Sequence, residues 1–204
     1  MKYYEDAKTG SEEYTVKDVY YRSENNHLQG LYYDKDSHSF YESSGLYGQS
    51  HVQKLVATSI EPVNLVPSKV HTLEASDFAN GLSPRSATEF VLLTWRERKI
   101  FTLDRTSLDL VDEFALPGMI REGWGVTADE SQANANGYYQ LYISDGTSYI
   151  YLVDGETLTL QRTIRVRDGQ SYVENISELE FADGHIYANV GDRDEIVKIN
   201  PADG

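Results

Sequence analysis

Short runs in which apolar residues alternate with polar ones dominate this chain, and Gly, Asp, Asn or Ser bound most of them. A period of two residues is typical of strands with one buried face, whereas helices repeat about every 3.6 residues. Clear examples lie at 31–33, 89–93, 140–143 and 185–188. Tyrosine is frequent in such runs, since its ring packs on a pleated surface while its hydroxyl reaches water. The pattern predicts an all-β chain.

The predicted strands recur in sets at a spacing of roughly 40 to 50 residues, which is typical of propeller blades. Within each set a second strand ends in a small or polar corner, and in three sets a third strand closes with Asp or Asn. We expect blades that begin near residues 29, 80, 122 and 177. The opening segments of the four sets are Gln29-Gly30-Leu31, Asn80-Gly81-Leu82, Glu122-Gly123-Trp124-Gly125 and Ser177-Glu178-Leu179.

Two stretches fall outside this repeat and predict irregular insertions. The first is 58–76, where Pro62 and Pro67 disfavour a central strand because proline cannot donate to a strand ladder. The second is 128–138, which is rich in Ala, Asn, Ser and Gln and is typical of a solvent loop.

Blades arranged around an axis bring corresponding residues close together, so the repeat itself predicts a cluster of side chains. These residues are expected to face the central channel or its mouth. A competing interpretation is that each one only satisfies backbone groups of a neighbouring blade. They are the opening residues Gln29, Asn80, Glu122 and Ser177 and the corner residues Trp95, Asp145 and Gly191.

Length, charge and cysteine content narrow the function classes. A chain of 204 residues makes one domain or two small ones. The formal net charge of -15 repels phosphate backbones and anionic membrane surfaces, so we expect neither nucleic acid nor membrane as a partner. Without cysteine the chain has no disulfide, thiolate metal site or cysteine nucleophile.

The remaining local signals are weak. The start of the chain is polar and no stretch approaches the roughly 18 apolar residues of a membrane span, so no signal peptide is expected in this chain and its localisation stays open. The 5 histidines show no metal-ligand spacing. Gly123-Trp124-Gly125 imitates part of a dinucleotide fingerprint but no helix pattern follows it. The sequence therefore predicts no metal and no cofactor.

Taken in order, the motifs from about Tyr14 to Gly204 resemble the plant-type glutaminyl cyclases (glutaminyl-peptide cyclotransferases). The resemblance implies an all-β, five-bladed β-propeller that here lacks most of its last blade. We expect a flexible N-terminal segment over 1–13 and the incomplete propeller over 14–204, with 14–20 as a closing strand. The motifs that carry it are 14–16, 27–31, 42–50, 93–95, 122–127, 144–147, 178–180 and 186–190.

The same resemblance implies an acyltransferase that converts the N-terminal glutamine of peptides or proteins to pyroglutamate and releases ammonia, without metal or organic cofactor. A monomer is expected. Four residues match the channel walls of the family and are the expected substrate-binding residues: Gln29, Phe78, Trp95 and Trp124.

Several positions depart from the family pattern. Asn80 occupies the position of the family's catalytic glutamate, and an amide cannot accept and return a proton near neutral pH. Ser177 replaces an asparagine, Gly191 a tryptophan and His27 an aromatic residue. By family position the catalytic set is thus Asn80, Gln29 and Ser177. The alternative function is a catalytically impaired or inactive paralogue or fragment that binds peptide N-termini.

Two other residues are candidates for the missing proton carrier. Glu122 is the nearest carboxylate by repeat position, but the family keeps it alongside its catalytic glutamate, which favours a structural role. Histidine is the residue type that ordinarily changes charge near neutrality, and His27 lies two residues from Gln29, on the same face of an extended strand.

Overall fold

The computed structural model describes residues 16, 19–22, 26–59, 63–191 and 193–204. The chain folds into strands throughout this described part. Their bounds are β1 Tyr21–Arg22, β2 Leu28–Asp34, β3 Ser39–Ser44, β4 His51–Ala57, β5 Asn64–Thr72, β6 Ala79–Pro84, β7 Glu89–Thr94, β8 Lys99–Asp104, β9 Leu110–Ala115, β10 Val126–Ala133, β11 Tyr139–Ser144, β12 Tyr149–Asp154, β13 Leu160–Arg165, β14 Arg167–Asp168, β15 Ser171–Tyr172, β16 Ile176–Ala182, β17 His185–Val190 and β18 Ile196–Ile199.

Consecutive strands pair into antiparallel meanders. Sheet 1 has the order β1-β5-β4-β3-β2, with β1 joined in parallel to β5. Sheet 2 comprises β6 to β9, sheet 3 comprises β10 to β13, and sheet 4 has the three described strands β16, β17 and β18. A separate two-stranded hairpin, β14-β15, connects sheets 3 and 4.

One edge strand of each sheet lies innermost, and these inner strands contact one another in the order β2, β6, β10, β16. Hydrophobic cores fill the space between sheets 1 and 2, between sheets 2 and 3, and between sheets 3 and 4. The described residues therefore form a propeller-like arrangement of four blades.

Strand β7 shows why a central blade has a continuous apolar sequence. Phe90 and Leu92 pack in the core with sheet 1, whereas Val91 and Leu93 pack in the core with sheet 3. All four side chains are fully buried, because both faces of sheet 2 are covered.

The two predicted insertions are wrong in their extent. Residues 64–72 form β5, the strand beside β4 in sheet 1. Pro67 is tolerated there because the register with β4 shifts beside its partner Leu55, and prolines are accepted at such irregularities. In the second stretch, β10 continues to Ala133 through a register shift, so the turn begins later than predicted.

The N-terminal predictions fall mostly outside the described residues. This holds for the segment 1–13 and for most of the predicted closing strand 14–20. The first described strand, β1, pairs Tyr21 with Asn64 and Arg22 with Leu65 at the outer edge of sheet 1.

The third strands of sheets 2, 3 and 4 end in the same turn. The side-chain Oδ1 of Asp104 and of Asp154 accepts the N–H groups two and three residues later, and Oδ1 of Asn200 accepts that of Ala202. The fourth residue after each has a positive φ and donates its N–H to the carbonyl of that residue. These backbone N–H groups lower the pKa of Asp104 and of Asp154.

Among the described residues, no helix has the length and apolar character needed to cross a bilayer.

Candidate active site

Three glycines show which positions of the inner strands correspond. A Cβ placed on Gly30, Gly81 or Gly125 would lie only 2.5, 2.6 or 2.3 Å from a backbone atom of the next inner strand. Each glycine therefore allows neighbouring sheets to approach closely at the same level of the propeller. The corresponding residue of sheet 4 is Glu178, which precedes Leu179 as each glycine precedes an apolar residue.

This register changes the alignment of the third repeat. Gly125, and not Gly123, corresponds to the glycines of sheets 1 and 2, because Gly125 is the residue that contacts the next inner strand at this level. Trp124 therefore shares a position with Gln29, Asn80 and Ser177, whereas Glu122 lies two residues earlier.

Two serines, one in β3 and one in β11, connect neighbouring sheets by hydrogen bonds at the level of these glycines. The hydroxyl oxygens of Ser43 and Ser144 each accept the N–H of the glycine in their own sheet, at 2.8 Å in both cases. Each hydroxyl then donates to a carbonyl of the next sheet, that of Asn80 for Ser43 and that of Ser177 for Ser144. The repeated contact fixes the opening residues of neighbouring sheets relative to each other.

Glu122 joins the two tryptophans of the site. Its Oε2 accepts the indole N–H of Trp95 at 2.6 Å and that of Trp124 at 2.9 Å. Its Oε1 lies 3.5 Å from Nε of Arg96, whose guanidinium stacks 3.8 Å from the centre of the Trp95 ring. Two residues that the sequence assigned to the channel wall are thus brought together by a carboxylate whose contacts the sequence did not predict.

Phe78 extends this wall from Trp95 towards sheet 1. Its ring centre lies 5.3 Å from that of Trp95, 5.4 Å from that of Tyr47 and 6.1 Å from that of His27. Glu97 accepts the Phe78 N–H at 3.2 Å and the Tyr47 hydroxyl at 2.7 Å, and the latter bond raises the pKa of Tyr47. Aromatic rings therefore contact one another from sheet 1 to sheet 2, and Glu122 links this wall to Trp124 of sheet 3.

Gln29 and His27 form the sheet 1 end of the site. Nε2 of Gln29 lies 2.7 Å from Nδ1 of His27, so this imidazole nitrogen has a partner. The His27 ring is exposed and stands edge-on to Phe78.

Asn80 is buried between sheets 2 and 3, with 8 % of its surface exposed. Its Nδ2 donates to the carbonyl of Gly123 at 2.8 Å. That bond places the Asn80 carboxamide against the segment that carries Glu122 and Trp124. A carboxamide whose nitrogen is engaged this way has its Oδ1 available as an acceptor.

From its described residues, sheet 4 contributes small groups to the site. Ser177 is half-buried, and its carbonyl is engaged by Ser144. The Gly191 N–H donates to the Asn175 carbonyl at 2.7 Å. A Cβ on Gly191 would meet its nearest neighbours at 3.4 and 3.5 Å, which is ordinary contact.

The third corner residue, Asp145, precedes Gly146, the residue that lies against the Trp124 ring. Its Oδ2 accepts the hydroxyl of Tyr151 at 2.9 Å and its Oδ1 accepts that of Thr147 at 2.5 Å. Burial and the bond to Asp145 raise the pKa of Tyr151 to about 12. Gly146 has φ +78 and lies against the Trp124 ring, where a Cβ would come within 2.6 Å of ring carbons. Glycine is therefore required beneath Trp124.

A second cluster of polar groups lines a small cavity between the inner strands, formed by residues that follow the three glycines and Glu178 along the chain. Tyr32 donates its hydroxyl to Glu130 at 3.3 Å, and Glu180 lines the same cavity. Burial, together with the nearby Glu130 charge, raises the pKa of Glu180 to about 7. Burial and the Glu180 charge also raise the pKa of Glu178, whose Oε1 is buried without a hydrogen-bond partner among the described residues. The sequence repeat did not indicate this cluster, because only one of the four sheets has a glutamate at each of these positions.

Within the described part of the chain, no group of three or more His, Asp or Glu side chains is arranged to hold a metal ion.

The fold and the site together define a propeller-like protein with an aromatic site at one end of its inner strands. The family model described as glutamine cyclotransferase matches residues 2–204, so the chain belongs to that family. The chain is 33% identical over 179 residues to the glutaminyl-peptide cyclotransferase of Arabidopsis thaliana, a match that covers 86% of this chain and 50% of that protein. It thus spans about half the length of this curated relative.

Solved structures agree with this placement. The glutaminyl cyclase of Myxococcus xanthus superimposes with a TM-score of 0.73 at 26% identity, over 91% of this chain and 70% of that one. The RRP9 WD40 repeats superimpose with a TM-score of 0.52 at 11% identity, over 90% of this chain and 54% of that one, which supports the fold alone. The family resemblance predicted from the motifs is confirmed.

Proposed function

We propose that this protein is a glutaminyl-peptide cyclotransferase, which converts the N-terminal glutamine of peptides or proteins to pyroglutamate and releases ammonia. Family membership and the names of the two glutaminyl cyclase relatives support the reaction. The observation that carries the proposal is the wall of Phe78, Trp95 and Trp124 around the carboxamide of Asn80. Such a wall suits a folded, uncharged glutamine side chain.

The reaction joins two groups of one residue. The free α-amine attacks the γ-amide carbon, a C–N bond forms, and a tetrahedral intermediate collapses by breaking the bond to the amide nitrogen. The attacking amine loses a proton and the leaving nitrogen gains one, so ammonia departs. Holding the side chain bent against aromatic walls supplies much of the rate, since orientation replaces a bimolecular encounter.

Asn80 and Gln29 have orienting roles in this proposal. The Oδ1 of Asn80 accepts a hydrogen bond from the substrate amine or amide, because its Nδ2 is already bonded to Gly123. The Gln29 carboxamide, held beside His27, and the Ser177 hydroxyl provide further polar contacts at the edges of the wall. Without a carboxylate at position 80, we expect turnover to be slow.

We also propose that the complete propeller has five blades, with a fifth sheet between sheet 4 and sheet 1. Within the described residues, cores join sheets 1 to 4 in sequence, and the outer face of sheet 1 carries exposed Leu31 and Tyr33. The Myxococcus xanthus structure, of which this chain covers 70%, is longer than the region matched here.

The protein is proposed to act as a monomer on peptides, with no nucleic-acid or membrane partner. The net charge of -15 supports this, since it opposes binding to anionic polymers and surfaces. A glutamine side chain is neutral and needs no basic pocket.

The test is ammonia release from the dipeptide Gln-Ala, measured for the wild type and for Asn80→Glu. Ala-Gln, in which glutamine is not N-terminal, is the matched control. We expect slow release from Gln-Ala only, and an increase of about 100-fold in kcat for Asn80→Glu, because positioned acid–base catalysis contributes at least about that much. Absence of release from both proteins would contradict the proposal.

A second candidate function is binding of peptide N-termini without turnover. The bond between Asn80 and Gly123 favours it, since the residue in the catalytic position is engaged in joining two sheets. Saturable binding of Gln-Ala by wild type, together with no ammonia release and a gain of activity in Asn80→Glu, would support this candidate over the first.

A further inference from the structure

The two tryptophans of the site come from different sheets and share one hydrogen-bond acceptor. Trp95 follows β7 of sheet 2, and Trp124 precedes β10 of sheet 3. Both indole N–H groups donate to Oε2 of Glu122, at 2.6 and 2.9 Å. A single oxygen therefore relates the orientation of one ring to that of the other.

The other ring contacts described for these two tryptophans are packing contacts that do not engage an indole N–H group. Trp95 packs against Phe78 and carries the Arg96 guanidinium on its face. Trp124 lies against Gly146. Packing contacts of this kind are weakly directional, whereas an N–H bond of 2.6 to 2.9 Å fixes the direction in which the indole nitrogen points.

The same contacts argue against a proton-carrier role for Glu122. Its Oε2 uses its acceptor capacity on two N–H donors, so a proton on that oxygen would compete with both indoles. Its Oε1 faces the positively charged Arg96 at 3.5 Å. This carboxylate is surrounded by donors and is suited to accept hydrogen bonds rather than to exchange protons.

We propose that Glu122 is the positioning residue of this site, which holds Trp95 and Trp124 in a fixed mutual orientation and so sets the width of the aromatic wall. The substrate that this wall encloses, an N-terminal glutamine, rests on the proposed function. The effect on the two rings does not. Glu122 acts through the tryptophans, and its side chain is 31% exposed at the edge of the wall.

The chain contains 2 tryptophans, and both belong to this site, so intrinsic tryptophan fluorescence reports on the wall alone. Glu122→Ala removes the shared acceptor, and Glu122→Gln keeps one acceptor oxygen. Glu113→Gln changes another glutamate, in β9 and paired with Lys99, and is the control. Acrylamide quenching and the emission maximum are measured for each folded variant, with Gln-Ala binding and turnover measured in parallel.

We expect Glu122→Ala to increase the acrylamide quenching constant about twofold and to raise KM for Gln-Ala about tenfold with a smaller change in kcat. Glu122→Gln should restore most of both properties, and Glu113→Gln should match wild type. Since Glu122→Gln preserves shape, it keeps the test decisive if Glu122→Ala fails to fold. A change of less than about 20 % in quenching for a folded Glu122→Ala would overturn the proposal.

The outcomes separate this inference from the proposed function. Native fluorescence with a kcat loss of 100-fold or more in Glu122→Gln would identify Glu122 as the proton carrier and overturn the positioning role, since acid–base catalysis contributes about that factor. Increased quenching in Glu122→Ala, in a wild-type protein that neither binds nor converts Gln-Ala, would support the positioning role while the proposed function fails.

Discussion

The wall built by sheets 2 and 3 differs sharply from the wall built by sheet 4, although the same repeat produces both. Sheets 2 and 3 contribute Phe78, Trp95 and Trp124, which Glu122 and their mutual contacts hold in place. At corresponding positions sheet 4 contributes Ser177 and Gly191. Most of the apolar contact available to a ligand therefore lies on one side.

This difference shows that the contacts that hold the sheets together are independent of the size of the side chains that face the site. The contacts that connect sheet 3 to sheet 4 are intact. The Ser144 hydroxyl donates to the Ser177 carbonyl, and Gly125 lies against the inner strand of sheet 4. What sheet 4 lacks is side-chain volume towards the site. Because the contacts between the sheets are intact, a larger side chain introduced in sheet 4 should restore the missing apolar surface.

The largest effect is expected on stability, from disrupting the close approach of sheets 3 and 4 at Gly125. In Gly125→Ala the new methyl would lie 2.3 Å from the Ser177 carbonyl oxygen, so sheets 3 and 4 must separate. We expect a loss of about 3 kcal/mol in the free energy of unfolding, measured by urea denaturation. Gly118→Ala is the control, because nothing lies within 4 Å of its Cβ position. Equal stability of the two variants would show that the approach at Gly125 is not limiting.

The next effect comes from enlarging the small wall. Gly191→Trp meets ordinary contacts at its Cβ, and Gly191 is not among the residues with positive φ, so the backbone accepts a side chain. We expect about tenfold tighter binding of Gln-Ala, about 1.4 kcal/mol, from the added aromatic surface. Val111→Trp, at an exposed position of β9, controls for the added indole. Binding is measured by calorimetry, and unchanged affinity would place residue 191 away from the ligand.

A smaller effect, on the pH dependence of stability, is expected at the cavity that Glu180 lines. The pKa of Glu180 is raised to about 7 in the folded protein, so the folded state holds its proton more tightly than the unfolded state does. Stability from this group is present at pH 4 and is lost as pH rises towards 7. The Glu180 carboxyl is desolvated at the cavity, but the residue as a whole is more than a third exposed, so screening limits the loss to about 1 kcal/mol.

Glu180→Gln should therefore gain stability relative to wild type as pH is raised from 5 to 8, as measured by the difference in Tm between the two proteins at each pH. Glu156→Gln, at an exposed turn where Glu156 accepts Asn134 and Asn136, is the control. A Tm difference that stays constant with pH would show that the Glu180 carboxyl does not titrate in this range.

The smallest effect is expected on the sheet 1 side. Nδ1 of His27 is already engaged with Gln29, and the ring is exposed. We expect His27→Ala to lower kcat/KM for Gln-Ala less than about threefold, which argues against His27 as the base. A loss of 100-fold or more, together with loss of the pH dependence near neutrality, would instead identify His27 as the proton carrier.

Much of the fold could be predicted from sequence, because alternating strands recur in sets and three of these sets close a strand with Asp or Asn. The alignment of the third repeat was wrong by two residues since Gly123 and Gly125 flank Trp124, and only the contact with sheet 4 shows which glycine faces a neighbour. Strand β5 was missed because Pro67 disfavours a strand locally while pairing with β4 stabilises it.

The sequence named candidate residues for the site but not their arrangement in space. The repeat placed Glu122 beside Gln29, Asn80 and Ser177, whereas the register of the inner strands puts Trp124 at that position. The convergence of two indoles on Glu122 depends on side-chain orientation between sheets, and a pattern along one chain carries no information on that.

The turn that ends the third strand of sheets 2, 3 and 4 gives these blades unequal resistance to acid. In sheets 2 and 3 the turn depends on carboxylates, Asp104 and Asp154, whose lowered pKa means that their contribution is lost only as pH falls below the ordinary range of an aspartate. In sheet 4 the same place is held by Asn200, whose carboxamide has no proton to gain. On acidification, amide hydrogen exchange should accelerate at the outer hairpins of the central blades while the corresponding turn of sheet 4 keeps its protection.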